Sequence, residues 1–205
     1  MSLQIWLAFV GACLIISFSP GPGCMASVSA GLAHGWLQAL KLVAGLQLAL
    51  FLQMGLVATG LGALLVASPS AFLTVKLVGA GYLIWLGFGL LRQSGQALQV
   101  DEQSVPREQL LWRGLLVNMS NPKAIVFMLA LVPQFIDESR PQLLQFGILT
   151  ATMVVIDFIV MGGYAGAAAH FRRWLATPLA QRWSSRLFGS AFILLGLLTL
   201  WPARG

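Results

Sequence analysis

The sequence predicts an all-α integral membrane protein with six transmembrane helices, arranged as an inverted 3+3 repeat in which helices one and four are broken. Three observations lead there. Of 205 residues, 58% are hydrophobic and 9% charged, where soluble domains carry about 25% charged residues. Mean hydropathy is +0.85. The apolar stretches leave room for about six spans of roughly 20 residues with short connections, and none for a separate soluble domain. The first and fourth stretches are interrupted at corresponding places, by Ser19-Pro20-Gly21-Pro22-Gly23 and by Asn121-Pro122-Lys123. Proline lacks the backbone donor and clashes with the preceding turn, so each motif should split its helix.

Span one is expected from about Leu3 to Gly31, bent at the Pro-Gly-Pro-Gly motif. The chain opens Met-Ser-Leu-Gln-Ile-Trp, with no Lys or Arg ahead of the apolar run, unlike a secretory leader. The first segment is therefore expected to stay as a span. Span two covers about Leu37 to Val66, inside a charge-free run between Lys41 and Lys76 that ends at the Ser68-Pro69-Ser70 turn. Span three covers about Phe72 to Leu91. The polar stretch from Arg92 to Glu108 contains Pro106 and marks the midpoint. Span four covers about Trp112 to Phe135 with Lys123 inside it, and span five about Leu143 to Phe171 with Asp157 near its middle. A basic connector follows, holding Arg172, Arg173, Trp174, Arg182, Trp183 and Arg186, before span six at about Leu187 to Trp201.

Three spans on each side of the midpoint give half-repeats of about 1–95 and 110–205 within one transmembrane domain covering 1–205. An odd number of spans per half forces opposite orientations, so span one should match span four. The connections after spans one, three and five hold or border Lys41, Arg92, Arg107, Arg113, Arg172, Arg173, Arg182 and Arg186. The opposite side has Lys76, Arg140 and Arg204. The positive-inside rule then places both termini outside. It also accounts for the net charge of +6, which would otherwise point to nucleic acid; no basic stripe sits on a soluble module, so no nucleic-acid partner is expected.

Unwound backbone at membrane depth is tolerated where protein buries it or where it lines a cavity. Paired interrupted helices in two halves are the best sequence pointer to a transporter's binding site. Pro20, Gly21, Pro22 and Gly23 should therefore expose amides at the start of a half-helix, and those amides with the helix dipole suit a carboxylate. The alternative is a kink needed for packing alone. Asn118, Asn121 and Pro122 stand at the second break, the two asparagines one turn apart and able to face one cavity; such groups also glue membrane helices together.

Lys123 is too deep in its span to snorkel easily, and a charge there is costly unless paired. It is a candidate counter-charge for a substrate carboxylate or for Asp157; the alternative is a static ion pair between spans four and five. Asp157 is the acid inside a predicted span. Burial favours a protonated carboxyl and a nearby ammonium favours the carboxylate, so Asp157 could load and release a proton, or bind an amino group. Tyr164 lies seven residues on and shares its helix face; it is either a hydrogen-bonding partner of substrate or of Asp157, or an interface anchor. Gln47 and Gln53 are packing or lining groups. Lys76 should snorkel, and His34 and His170 fall at span ends. Gly162, Gly163, Gly166, Ala167 and Ala168 suit close helix contact, within the monomer or between protomers of a homo-oligomer.

Several of these strings together resemble the LysE/RhtB family of amino-acid exporters. They are Ser19-Pro20-Gly21-Pro22 with Gly31-Leu32-Ala33-His34-Gly35, and Lys76-Leu77-Val78-Gly79-Ala80-Gly81-Tyr82-Leu83-Ile84-Trp85-Leu86-Gly87. The second half adds Gly114-Leu115-Leu116-Val117-Asn118, Asn121-Pro122-Lys123-Ala124, Leu131-Val132-Pro133-Gln134-Phe135, and Asp157 followed by Tyr164. The resemblance covers nearly the whole chain, in the family's order. It implies a multi-pass protein of the bacterial inner (plasma) membrane that exports amino acids or close derivatives, with a small-molecule substrate, the lipid bilayer as its surroundings and proton exchange as its drive. It implies no cofactor and no enzymatic activity. Many members carry Asn or Asp directly after Pro-Gly-Pro, where this chain has Gly23 and then Cys24.

Other classes fit less well. A membrane thiol–disulfide electron carrier would want a Cys at each break, but Cys13 and Cys24 share the first span. A metal-ion transporter would want clustered Cys, His and carboxylates, and no such metal site can be assembled from the spans. No Gly-rich Walker loop is present, and no paired carboxylates or Ser-His-Asp set suggests a hydrolase.

Overall fold

The computed structural model describes residues 1–67, 69–92, 106–137, 140–168 and 177–200, and the regular structure within them is helical throughout. The expectations for most of the midpoint stretch, for Ser68, His170, Arg172, Arg173, Trp174 and Arg204, and for the side chain of Lys76 fall outside the described residues.

Helix α1 (Leu3–Phe18) starts on Ser2, whose hydroxyl accepts the Ile5 amide at 3.3 Å. It stops at Ser19, which is extended (φ −67°, ψ 124°), as the residue before a proline tends to be. Helix α2 (Pro22–His34) restarts with proline in its first turn, where the missing N–H costs nothing. The two axes differ by 56°. Gly35, at φ +76°, turns the chain directly into α3 (Trp36–Ala67), a conformation that glycine adopts without Cβ strain. Helix α4 (Pro69–Arg92) completes the first half.

The second half repeats the break. A 3₁₀ turn (Arg107–Gln109) leads into α5 (Leu110–Met119); the chain unwinds at Ser120–Asn121, and α6 (Pro122–Leu131) restarts on a proline. A second 3₁₀ turn (Val132–Phe135) carries Pro133 and ends this segment. The bend here is 53°. Helix α7 spans Gln142–Gly166 and α8 spans Pro178–Leu200. One expectation is corrected: Arg182, Trp183 and Arg186 are not in a connector but in the first turns of α8. Pro178 can open a helix, and Arg and Gln are good helix formers, so the polar onset did not stop it.

Among the described residues, Trp36–Gly60 and Gln142–Gly166 are long and apolar enough to cross a membrane alone, with mean hydropathies of 1.8 and 2.1. The two bent pairs qualify when each is counted as one span. Leu77–Arg92 and Ser185–Leu198 are apolar but shorter. The outward faces carry large apolar side chains, among them Phe51, Leu56, Trp85, Leu143 and Ile159. Such a surface is stable against hydrocarbon and not against water.

Helix packing relies on missing side chains. Between α3 and α5 the approach is reciprocal: a Cβ on Gly45 would collide with the Leu111 carbonyl, and one on Gly114 with the Leu42 carbonyl. Gly87 and Gly189 play the same part between α4 and α8. Close backbone approach through small residues is how membrane helices gain contact when lipid is as apolar as leucine. The interior forms two apolar clusters. One gathers Phe9, Ile16, Leu50, Phe127, Leu149 and Met153. The other gathers Cys24, Val28, Leu42, Leu46, Met161 and Tyr164. The two helix breaks lie where these clusters meet.

Candidate functional site

A cavity of about 30 Å³ opens at that junction. Ile16, Leu50 and Met153 from one cluster and Cys24, Leu46 and Met161 from the other supply its apolar walls. Gly23, Asn118, Asn121, Lys123 and Asp157 also line it. Five of the residues singled out in the sequence thus converge on one space from α2, α5, α6 and α7. Pro20, Pro22 and Pro122 do not line it; the latter two are exposed at helix starts and shape the breaks.

Lys123 makes the most informative contacts. Its Nζ donates to the carbonyl oxygens of Ser19 at 2.7 Å and Ile16 at 3.1 Å. These belong to the end of α1, where helical carbonyls lack internal partners and the macrodipole is negative. Between them, the Phe18 carbonyl accepts the Tyr164 hydroxyl at 2.8 Å. The first break is therefore held by side chains of the second half. Lys123 does not form an ion pair with Asp157, because the carbonyls occupy its ammonium instead.

Asp157 is met by two neutral donors. The Ser17 hydroxyl donates to Oδ1 at 2.9 Å, and Gln47 Nε2 donates to Oδ2 at 2.8 Å. Two of the three Lys123 N–H donors are thus used, and each Asp157 oxygen accepts one of these bonds, so both groups keep capacity for another partner. Tyr164 is buried at the first break, with its ring edge-on to Phe18 (centroids 6.4 Å apart, planes at 88°). Its hydroxyl bonds to the Phe18 carbonyl and not to Asp157.

The second break is held largely by the first half. Gln53 Nε2 donates to the Asn118 carbonyl at 2.9 Å, and Asn118 Nδ2 donates to the Leu46 carbonyl at 2.9 Å. Asn121 Nδ2 donates to Asn118 Oδ1 at 3.1 Å, and Asn121 Oδ1 accepts the Lys123 amide at 3.1 Å. Asn121 therefore caps α6 itself. Helix α2 has no side-chain cap. Its early amides at Gly23 and Cys24, on the cavity wall, precede the first possible helical bond, which Met25 makes to the Gly21 carbonyl at 3.0 Å.

The glycines of the first break have different reasons from one another. Gly21 is extended (φ −171°), a conformation open to any residue, so its backbone does not demand glycine. A Cβ there would lie 2.9 Å from Lys123 Nζ and 3.2 Å from Cε. Gly23 is inside α2, and a Cβ there would make ordinary contact with Leu46 Cδ2 at 3.7 Å. Sequence reasoning did not reach Ser17, since a serine in an apolar span is usually satisfied by its own helix; its signal is the facing acid 140 residues away. Nor did it reach the Ile16 and Ser19 carbonyls, which are backbone groups and leave no trace in residue type.

Comparison with known proteins finds relatives along nearly the whole chain. Residues 14–201 match the model of the LysE type translocator family. A homoserine/homoserine lactone efflux protein of Salmonella typhimurium is 40% identical over 97% of both chains. An uncharacterized membrane protein of Vibrio cholerae serotype O1 is 39% identical over 97% of both. A leucine efflux protein of Klebsiella pneumoniae is 30% identical over 92% of this chain and 91% of its own. No solved structure matches significantly. The chain is a membrane protein and belongs to the LysE type translocator family.

Proposed function

We propose that this protein is a secondary transporter that exports neutral amino acids or close derivatives across the bacterial inner membrane. The observation that carries the reading is the cavity in which an unpaired pair of opposite charges, Lys123 and Asp157, faces the uncapped start of α2. A zwitterion fits that pattern. Its carboxylate is received by the Gly23 and Cys24 amides and the Lys123 ammonium, as half-helix N-termini receive anions in transporters. Its ammonium is received by Asp157. Leu46, Leu50, Met153 and Met161 leave an apolar wall for the side chain and no second acid for a cationic one. Relatives named for efflux of homoserine and of leucine support small neutral substrates.

Six spans in two inverted halves are part of the same reading. What supports them is the likeness of the two bends, 56° and 53°, and the reciprocal stitching of each break by the other half. The cavity of about 30 Å³ has room for about two water molecules and not for an amino acid. Substrate entry therefore requires the helices to part, and rocking of one half against the other is the motion proposed. Asp157 carries the exchanged proton, since a carboxylate that releases the substrate ammonium is left facing the cavity with a vacant acceptor site. Both termini lie outside.

Among the described residues no group of three His, Cys, Asp or Glu could hold a metal ion, and both cysteines are free and buried. The test is counterflow in proteoliposomes preloaded with L-homoserine or L-leucine. Uptake of the labelled amino acid against the preload, faster with an opposing pH gradient, is expected; no exchange of either with the protein correctly inserted would contradict the reading.

A further inference from the structure

Lys123 is seated on the end of α1 because nothing stands at Gly21. Its ammonium reaches the Ser19 and Ile16 carbonyls by passing over a residue whose Cβ would sit 2.9 Å from it. The extended backbone at Gly21 would accept alanine, but the added methyl would displace the flexible end of Lys123 from its present seat. The seat also bridges the halves: α6 is tied through Lys123 to α1, 104 residues earlier. In the LysE-type chain as described, this tie and the Tyr164 bond to Phe18 close the first break above the cavity.

We propose that Gly21 is a positioning residue that lets Lys123 latch the empty carrier shut, and that an arriving substrate carboxylate draws the ammonium off the α1 carbonyls and releases the latch. The inference rests on the exporter reading for its second half only. A carboxylate at the α2 amides offers Lys123 a full opposite charge in place of two carbonyl dipoles, and charge–charge attraction is strong where water is excluded. The carbonyls of Ile16 and Ser19 then lose the tie that holds α1 to α6. Substrate binding and separation of the halves become one event, which is what alternating access requires.

Cys24 reports the latch, since it lines the same cavity and is 1% exposed. In membranes carrying the Cys13→Ala background, N-ethylmaleimide alkylation of Cys24 is timed with and without L-homoserine or L-leucine, alongside efflux of each. The unliganded wild type is expected to react slowly, and the exported amino acid to speed the reaction about tenfold. Gly21→Ala, which displaces only the flexible end of Lys123, is expected to react faster than wild type without any amino acid and to keep part of its gain from one. Lys123→Met, which removes the charge and keeps most of the side-chain length, is the second variant and is expected to react fast without any amino acid and to gain less than about twofold from one. Equal unliganded rates in wild type and both variants would overturn the latch. Fast unliganded reaction in the variants, with neither amino acid exported by the wild type, would uphold the latch and overturn the exporter reading instead.

Discussion

The Lys123 ammonium lies 2.7 Å from the Ser19 carbonyl oxygen, 104 residues earlier in the chain. This bond joins the two helix breaks directly and defines what each change at the site should do. Lys123→Met strips the Ser19 and Ile16 carbonyls of their donor. Partly buried acceptors left unsatisfied cost about 1–3 kcal/mol each, so a loss of about 2–6 kcal/mol is expected, together with loss of efflux. Thermal unfolding in detergent checks the first and whole-cell efflux the second.

Asp157→Asn should separate charge from structure. The new amide can still accept from Ser17. Gln47 has an Oε1 with no hydrogen-bond partner, so its side-chain amide can flip and accept the new N–H. Stability should change by less than about 1 kcal/mol, while ammonium binding and proton exchange are lost. Membrane yield and melting temperature equal to wild type, with efflux at background, is the expected pair of results.

Tyr164→Phe removes the hydroxyl that donates to the Phe18 carbonyl and keeps the ring against Phe18. One hydrogen bond is worth about 0.5–1.5 kcal/mol. Efflux should fall several-fold without disappearing, and a direct binding assay should show little change, because the hydroxyl holds the break and not the substrate.

Two glycine substitutions should diverge. Gly45→Val puts side-chain atoms where the Leu111 backbone lies, so correctly folded protein should be lost from the membrane fraction. Gly23→Ala adds a methyl at ordinary contact distance from Leu46 and Met161 on the cavity wall. It should fold normally and shift the ratio of homoserine to leucine efflux toward the smaller substrate.

The breaks and the charged pair were legible in the sequence because their causes are residue types. Pro20, Pro22 and Pro122 break a helix interior and are tolerated only at a helix start or outside it, and charges such as Lys123 and Asp157 are costly in an apolar span. The spans two and five emerged with boundaries close to α3 and α7 for the same reason. What stayed hidden depends on distance across the fold. The static ion pair between Lys123 and Asp157 is replaced by two carbonyls of α1 as the partners of the ammonium. Gly21 reads as a backbone hinge, whereas its backbone is extended and a Cβ there would meet the end of the Lys123 side chain. Arg182 and Arg186 looked like a loop because basic residues collect outside spans, but the helical start at Pro178 extends α8 over them.

The most direct test of the account is efflux from bacterial cells loaded with a panel of labelled amino acids, comparing wild type with Asp157→Asn at equal amounts of inserted protein. The account predicts export of one or a few neutral amino acids by the wild type and background export by the variant. Undiminished export by the variant would contradict the role given to Asp157, and no export of any panel member by the wild type would contradict the zwitterion site itself.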